Sequence, residues 1–132
     1  MRICLDTSAY SHFKRGDGQA IEAIGSARLV CVPAIVLGEL RSGFRTGRQA
    51  ERNERELQEF LASSVVRVLD VDEECSHHYA DIVAELQRAG TPVPTNDIWI
   101  AALATREGAT VITYDSHFDC IRRVGSRILT ES

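Results

Sequence analysis

Three short segments, Arg2–Leu5, Leu29–Val32 and Ala109–Thr113, are apolar at nearly every position and not at alternate ones. A strand with one wet face alternates; a strand covered on both faces reads as a continuous apolar run. Each run is followed by helix-like sequence. Ser8–Lys14 is helical and breaks at Gly16-Asp-Gly18, and a short helix covers Gln19–Ile24. Pro33 fits the first position of a helix, where its missing N–H costs nothing, and that helix continues through Leu40 to about Arg45. Arg48–Leu61 reads as a charge-dense helix and Val65–Val71 as a β-branched strand. Asp72-Glu-Glu74 opens a helix that runs to Arg88 and is closed by Gly90; Thr91–Pro94 is a loop. Thr95 or Asn96 caps a helix through Thr105–Arg106 that ends at Gly108. A short helix near His117–Arg122 and a strand at Arg127–Thr130 complete the chain. Strands separated by helices are parallel β-α-β units, so the expected fold is α/β: a three-layer α/β/α sandwich with a mostly parallel sheet of about five strands.

The 132 residues suit one domain, 1–132, and no repeat or linker divides them. Hydrophobic residues at 44% and charged residues at 26% exclude a disordered chain. The longest apolar run, Ile98–Ala104, is far short of the roughly 20 residues of a membrane span. The first residues hold no signal-peptide core, and a carboxylate arrives at Asp6, so the expected location is cytoplasmic. Cys4, Cys31, Cys75 and Cys120 form no C-x-x-C pair, which leaves zinc and redox motifs unsupported and free, mostly buried thiols as the expectation. The net charge of −4 is wrong for a generic nucleic-acid binder. Any nucleic acid must be held by a local patch or through metal ions. Fourteen Arg stand against a single Lys, Lys14, so the cationic groups are guanidinium forks.

Ligands of open α/β sheets bind beyond the carboxyl ends of the strands. Asp6 follows the first strand directly, and Asp115 follows the 109–113 strand after Tyr114. Either alone is explained as a cap or turn residue. Glu39 resists that explanation, because its helical neighbours one turn back are Ile35 and Val36, and a charge on an apolar face is costly unless paired or metal-bound. Asp97 opens the run Asp97–Ala104, apolar nearly all round, which marks a central buried helix. Asp72, Glu73 and Glu74, by contrast, read as cap and helix-dipole partners. If Asp6, Glu39, Asp97 and Asp115 converge at roughly 5 Å, six like-charge pairs of about 3 kcal/mol each arise at an effective dielectric near 20. The total of about 20 kcal/mol exceeds the stability of a typical domain. Such a cluster takes up protons or divalent cations, and all-oxygen ligands select Mg²⁺ or Mn²⁺. Without these four charges the formal net charge is zero. One or two such ions would serve phosphodiester hydrolysis.

Leu5-Asp-Thr-Ser8, Gly38-Glu-Leu-Arg-Ser-Gly43, Pro94-Thr-Asn-Asp-Ile-Trp-Ile-Ala-Ala102 and Thr110-Val-Ile-Thr-Tyr-Asp-Ser-His-Phe118, in this order, resemble the PIN-domain family and within it the VapC-type toxin ribonucleases. The likeness covers essentially the whole chain. It implies a PIN-like sandwich, Mg²⁺- or Mn²⁺-dependent endoribonuclease activity on cellular RNA, inhibition by a small cognate antitoxin, and a homodimer. Matched position by position, the acidic quartet is Asp6, Glu39, Asp97 and Asp115. Asp6 and Asp97 are then the firmest metal ligands, and Glu39 and Asp115 position or deprotonate the attacking water or complete a second metal site. Hydrolysis of this kind leaves a 5′-phosphate and a 3′-hydroxyl. Thr7 and Thr113 match supporting hydroxyl positions. Asn96 stands where an acid is frequent in the family, which alters the charge behind the ligands. The antitoxin is expected to lay an amphipathic segment across the cleft and set an Arg or Lys among the acids.

Arg41, Arg45, Arg48, Arg52 and Arg55 recur at helical spacing, interrupted by Gly43 and Gly47, which suggests two helices meeting at a corner. Glu51, Glu54, Glu56 and Glu59 lie in the same stretch and read as a solvated ion-pair face, with Glu51, Glu56 and Glu59 in reach of the stripe; alternatively Arg41 and Arg45 border the acids and contact the RNA backbone. His117 reads as a surface histidine or a phosphate contact, and Trp99 and Phe118 as core. A phosphoacceptor receiver domain also carries acids at strand ends, but it needs a late Lys, and Lys14 is early. A PIN-like scaffold without catalysis, binding RNA or protein, is the other alternative.

Overall fold

The computed structural model describes all 132 residues. Five strands, β1 (Arg2–Leu5), β2 (Leu29–Pro33), β3 (Val66–Leu69), β4 (Thr110–Thr113) and β5 (Ser126–Ile128), form one sheet in the order β3-β2-β1-β4-β5. All four pairings are parallel. Between them lie α1 (Thr7–Lys14), α2 (Gly18–Gly25), α3 (Ala34–Arg45), α4 (Ala50–Leu61), α5 (Glu73–Ala89), α6 (Thr95–Glu107) and a 3-10 helix at Ser116–Cys120. The chain builds outward from β1 to β2 and β3, then returns to add β4 and β5 on the other side. Right-handed crossovers in opposite directions put the helices on opposite faces. The expected three-layer sandwich is therefore the observed one.

The three continuous apolar runs form the sheet's middle. Ile3, Cys4, Leu5, Val30, Cys31, Val32, Val111 and Ile112 are all at or below 2% exposure. β1 is bracketed on both sides, with Cys4 opposite Cys31 and Val111. The α6 helix buries Ile98, Ile100, Ala101, Ala102, Leu103 and Ala104, as its all-round apolar sequence requires. Phe118 is fully buried, and Trp99 stacks on Tyr79 at 3.9 Å against the core. Cys4, Cys31 and Cys75 are buried free thiols; Cys120 is exposed. No helix is long and apolar enough to cross a membrane.

Several boundaries differ from the sequence reading. Pro33 ends β2 and caps α3, with φ −60° and ψ 141°; it is not the first helical residue. Its carbonyl can still accept in a strand, so it costs the ladder one donor only. Pro94, not Thr95 or Asn96, occupies the cap position of α6. The β-branched strand shortens to Val66–Leu69, the residues in register with β2; the Val65 carbonyl still accepts from the Val30 amide at 2.8 Å, but Val65 and Val71 are exposed. Arg48 lies outside α4, and the last strand ends at Ile128.

Leu57 is the single buried residue of α4, at 0% exposure. Leu57→Ala should therefore cost about 3 kcal/mol, whereas Glu59→Ala on the exposed side should change stability by less than about 0.5 kcal/mol. Urea unfolding of the two variants checks this. Equal midpoints would mean that α4 is not anchored through Leu57.

Candidate active site

The strand order reverses between β1 and β4, so their carboxyl ends flank the crevice where parallel sheets bind ligands. Asp6 leaves β1 there and Asp115 leaves β4. Asp6 is the N-cap of α1 and only 5% exposed. Its Oδ1 accepts from the Ala9 amide at 2.9 Å and from Ser8 Oγ at 2.7 Å, and its Oδ2 accepts from Thr113 Oγ1. These three donors occupy three of about four lone-pair directions on the carboxylate, leaving one for a further partner. Burial raises the Asp6 pKa, against the lowering effect of the same hydrogen bonds from Thr113, Ser8 and Ala9.

Asp115 caps the 3-10 helix: its Oδ1 accepts from the His117 amide at 2.9 Å, and its own amide donates to Thr113 Oγ1 at 2.9 Å. Thr113 is thus a bridge between Asp6 and Asp115. Ser8 is a second bridge, donating to Asp6 and accepting from the Tyr114 amide at 3.0 Å. Ser8 belongs to the Leu5–Ser8 motif, but its bridging role depends on the approach of Tyr114 from the end of β4, which the sequence does not contain.

Asp97 enters from the first turn of α6 and is half-buried. One donor atom each from Asp97, Asp115 and His117 lie within 4.8 Å of one another. His117 Nδ1 is 3.0 Å from Asp115 Oδ1 and 4.0 Å from Asp97 Oδ2. Asp6 and Glu39 are outside this trio but act on it. Burial first, then the charges of Asp115, Asp6 and Glu39, push the Asp97 carboxyl up to about 6, with His117 opposing. Glu39, on α3, is held from both sides: Thr7 Oγ1 donates to its Oε1 at 2.5 Å and Asn96 Nδ2 to its Oε2 at 3.2 Å. All four acids therefore belong to one electrostatic site, built from β1, α3, α6 and β4.

The arginine stripe does bend at a corner, between α3 and α4. Arg41 is engaged there by Glu54, at 3.0 and 2.9 Å, so the ion-paired face expected of this stretch is present, with Glu54 and not Glu51, Glu56 or Glu59 as the partner of Arg41. Glu56 instead faces Lys14 at 3.9 Å. Arg45 is exposed. The largest surface hollow, about 650 Å³ beside Ile82, Leu86 and Ile121, is not at the acids.

A carboxyl titrating near 6 when folded and near 3.8 when free binds its proton more tightly in the folded state. It stabilises the fold below pH 4, and that contribution is lost as pH rises through about 6. The metal-free protein should then lose about 2–3 kcal/mol between pH 4 and 7 from this group. Asp97→Asn should raise the metal-free Tm at pH 7 and leave it nearly unchanged at pH 4. A pH-independent difference between the two proteins would contradict the electrostatic account.

Residues 3–124 match the PIN domain. The chain is 30% identical over 117 residues to Ribonuclease VapC2 of Rickettsia felis, covering 86% of each protein. It superposes on the DNA-bound VapBC of Salmonella typhimurium with a TM-score of 0.84 at 30% identity, over 97% of this chain and 98% of that one. It superposes on VapBC-5 of Mycobacterium tuberculosis, a member of the VapBC family of toxin-antitoxin systems, with a TM-score of 0.74 at 25% identity, over 97% and 98%. The acids at the β1/β4 crevice and the match along nearly the whole chain lead to one conclusion: the protein belongs to the PIN-domain family.

Proposed function

We propose that the chain, as one nuclease unit of residues 1–132, is the toxin of a toxin–antitoxin pair and a divalent-metal-dependent endoribonuclease. The observation that carries this reading is the convergence of Asp6, Glu39, Asp97 and Asp115 on the crevice beyond β1 and β4, where burial and the other three carboxylates push the Asp97 carboxyl up. A site that stores like charge in this way gains from a bound cation what it loses in stability. The named relatives supply the reaction class: ribonuclease, in a VapBC pair.

The donors fit a hard cation. Asp97 and Asp115 offer oxygens within reach of one ion, and Asp6 retains a free lone-pair direction. A divalent ion, Mg²⁺ or Mn²⁺, would supply Lewis-acid stabilisation of the phosphate and make water acidic enough to attack. Asp6, Asp97 and Asp115 would hold it; Ser8 and Thr113 fix the Asp6 carboxylate so that little reorganisation would be needed. Glu39 takes the proton of the attacking water, with Thr7 and Asn96 aiming its two oxygens. Asn96 is neutral, so it orients Glu39 without adding a fifth charge. Arg45 contacts the RNA backbone, whereas Arg41 is committed to Glu54 and shapes the corner. A small antitoxin silences the enzyme by placing a cation among the acids, and the working assembly is a homodimer.

Cleavage of total cellular RNA by the purified chain tests this. Discrete fragments are expected with Mg²⁺ or Mn²⁺, none with EDTA, and a loss of at least about 100-fold in Asp6→Asn and Asp97→Asn. An antitoxin-free preparation that cuts nothing under any condition would refute the enzyme and favour a binding scaffold. Arg45→Ala should weaken RNA binding and reduce the salt slope by about 1, with Arg41→Ala having a smaller effect on the slope. Unchanged affinity in Arg45→Ala would remove that residue from the RNA path.

A further inference from the structure

Two acids and an imidazole, not acids alone, share the closest group of donor atoms at the crevice. The position of His117 is built, not incidental. Its backbone amide is tied to Asp115 Oδ1 at 2.9 Å, and the next residue, Phe118, is fully buried. The backbone that carries the ring is thus fixed in a tight turn, while the side chain itself stays half exposed at the crevice mouth. Nδ1 faces the carboxylates: 3.0 Å from Asp115 Oδ1 and 4.0 Å from Asp97 Oδ2.

Donors around one six-coordinate cation at about 2.1–2.2 Å lie about 3 Å apart when adjacent and a little over 4 Å apart when opposite. The His117 spacings fall in that range. An ordinary salt bridge would need His117 to meet only Asp115. Nδ1 does pair with Asp115, at 3.1 Å from Oδ2 as well, but it also lies 4.0 Å from Asp97 Oδ2, too far for a hydrogen bond and within the span of two donors on one ion.

We propose that His117 Nδ1, with its proton carried on Nε2, is a fourth protein donor to the divalent cation that Asp6, Asp97 and Asp115 would hold, and that this nitrogen biases the site toward Mn²⁺ over Mg²⁺. The inference rests on the metal-dependent reading above. Mg²⁺ is hard, keeps its waters and favours oxygen; Mn²⁺ accepts imidazole more readily. The carboxylates alone would not separate the two ions strongly. The other histidines are otherwise engaged or elsewhere: His12 stacks on Tyr114 with Nδ1 at Ser8 O and Nε2 at Glu131, and His77 and His78 belong to α5. A nitrogen signal from a bound ion would therefore report on His117.

The test needs no RNA. The full chain is loaded with Mn²⁺ and examined by electron spin-echo modulation, and Mn²⁺ and Mg²⁺ affinities are measured by calorimetry for wild type and His117→Ala. Expected are ¹⁴N modulation in wild type that vanishes in the variant, a Mn²⁺ Kd weakened about tenfold or more, and a Mg²⁺ Kd changed less than about threefold. His117 is exposed, so the variant should keep its Tm. Bound Mn²⁺ without nitrogen modulation, or equal weakening toward both ions, overturns the ligand role and leaves His117 as a hydrogen-bond partner of Asp115; the nuclease reading would survive. If neither ion binds wild type, both fall together.

Discussion

A carboxylate at the end of the central strand, almost wholly removed from water, must be satisfied locally or it unfolds its surroundings. Asp6 is satisfied by donors from two elements: Ala9 and Ser8 at the start of α1, and Thr113 at the end of β4. The same contacts join the two strands that flank the switch point. Thr113 passes the link on to the Asp115 amide, and Ser8 passes it to the Tyr114 amide. The other acids sit where they do because this frame fixes the ends of β1 and β4. Capping and site chemistry are therefore not alternatives here. Asp6 and Asp115 are helix caps, and capping is what aims them.

The remaining acids arrive on helices packed over the crevice, and their cost is not relieved internally. Glu39 has two neutral donors, Thr7 and Asn96, while the one basic side chain paired with Asp97 is His117, with Nδ1 4.0 Å from its Oδ2. Neutral donors orient a carboxylate without cancelling its field. The field is felt at Asp97, which is the group raised to about 6. Had Asn96 been acidic, Glu39 would have lost a donor and the crevice would have gained another like charge. Asp6 is raised as well, chiefly by burial, while the surrounding polar groups are held satisfied: no buried side-chain polar atom lacks a partner.

Much of this was legible because it follows from periodicity. Continuous apolar runs gave parallel strands, and the all-round apolar stretch after Asp97 gave a buried α6. The sites of the four acids followed from their places after strands and on apolar helix faces. What was not legible depends on geometry between elements. Pro33 and Pro94 both end extended segments and precede the helices that carry Glu39 and Asp97. Their fixed φ suits a first helical residue and an extended cap equally, so sequence could not choose. The ends of β3 are set by how far β2 reaches beside it, not by its own β-branched residues. The partner of Arg41 is Glu54 because of the angle at the α3–α4 corner, which helical spacing does not contain.

His117 shows the same limit in the site itself. Its spacing from Asp115 was visible, but a histidine two residues from an acid is ordinarily a surface residue. What changes its meaning is Asp97, distant in sequence and brought opposite by the crossover that carries α6 back to β4. An all-oxygen donor set follows from counting acids; a mixed set follows only from where the 3-10 turn points its ring. Because Phe118 is buried beneath that turn, the ring's place is tied to the core, and the core thereby reaches the composition of the donor set.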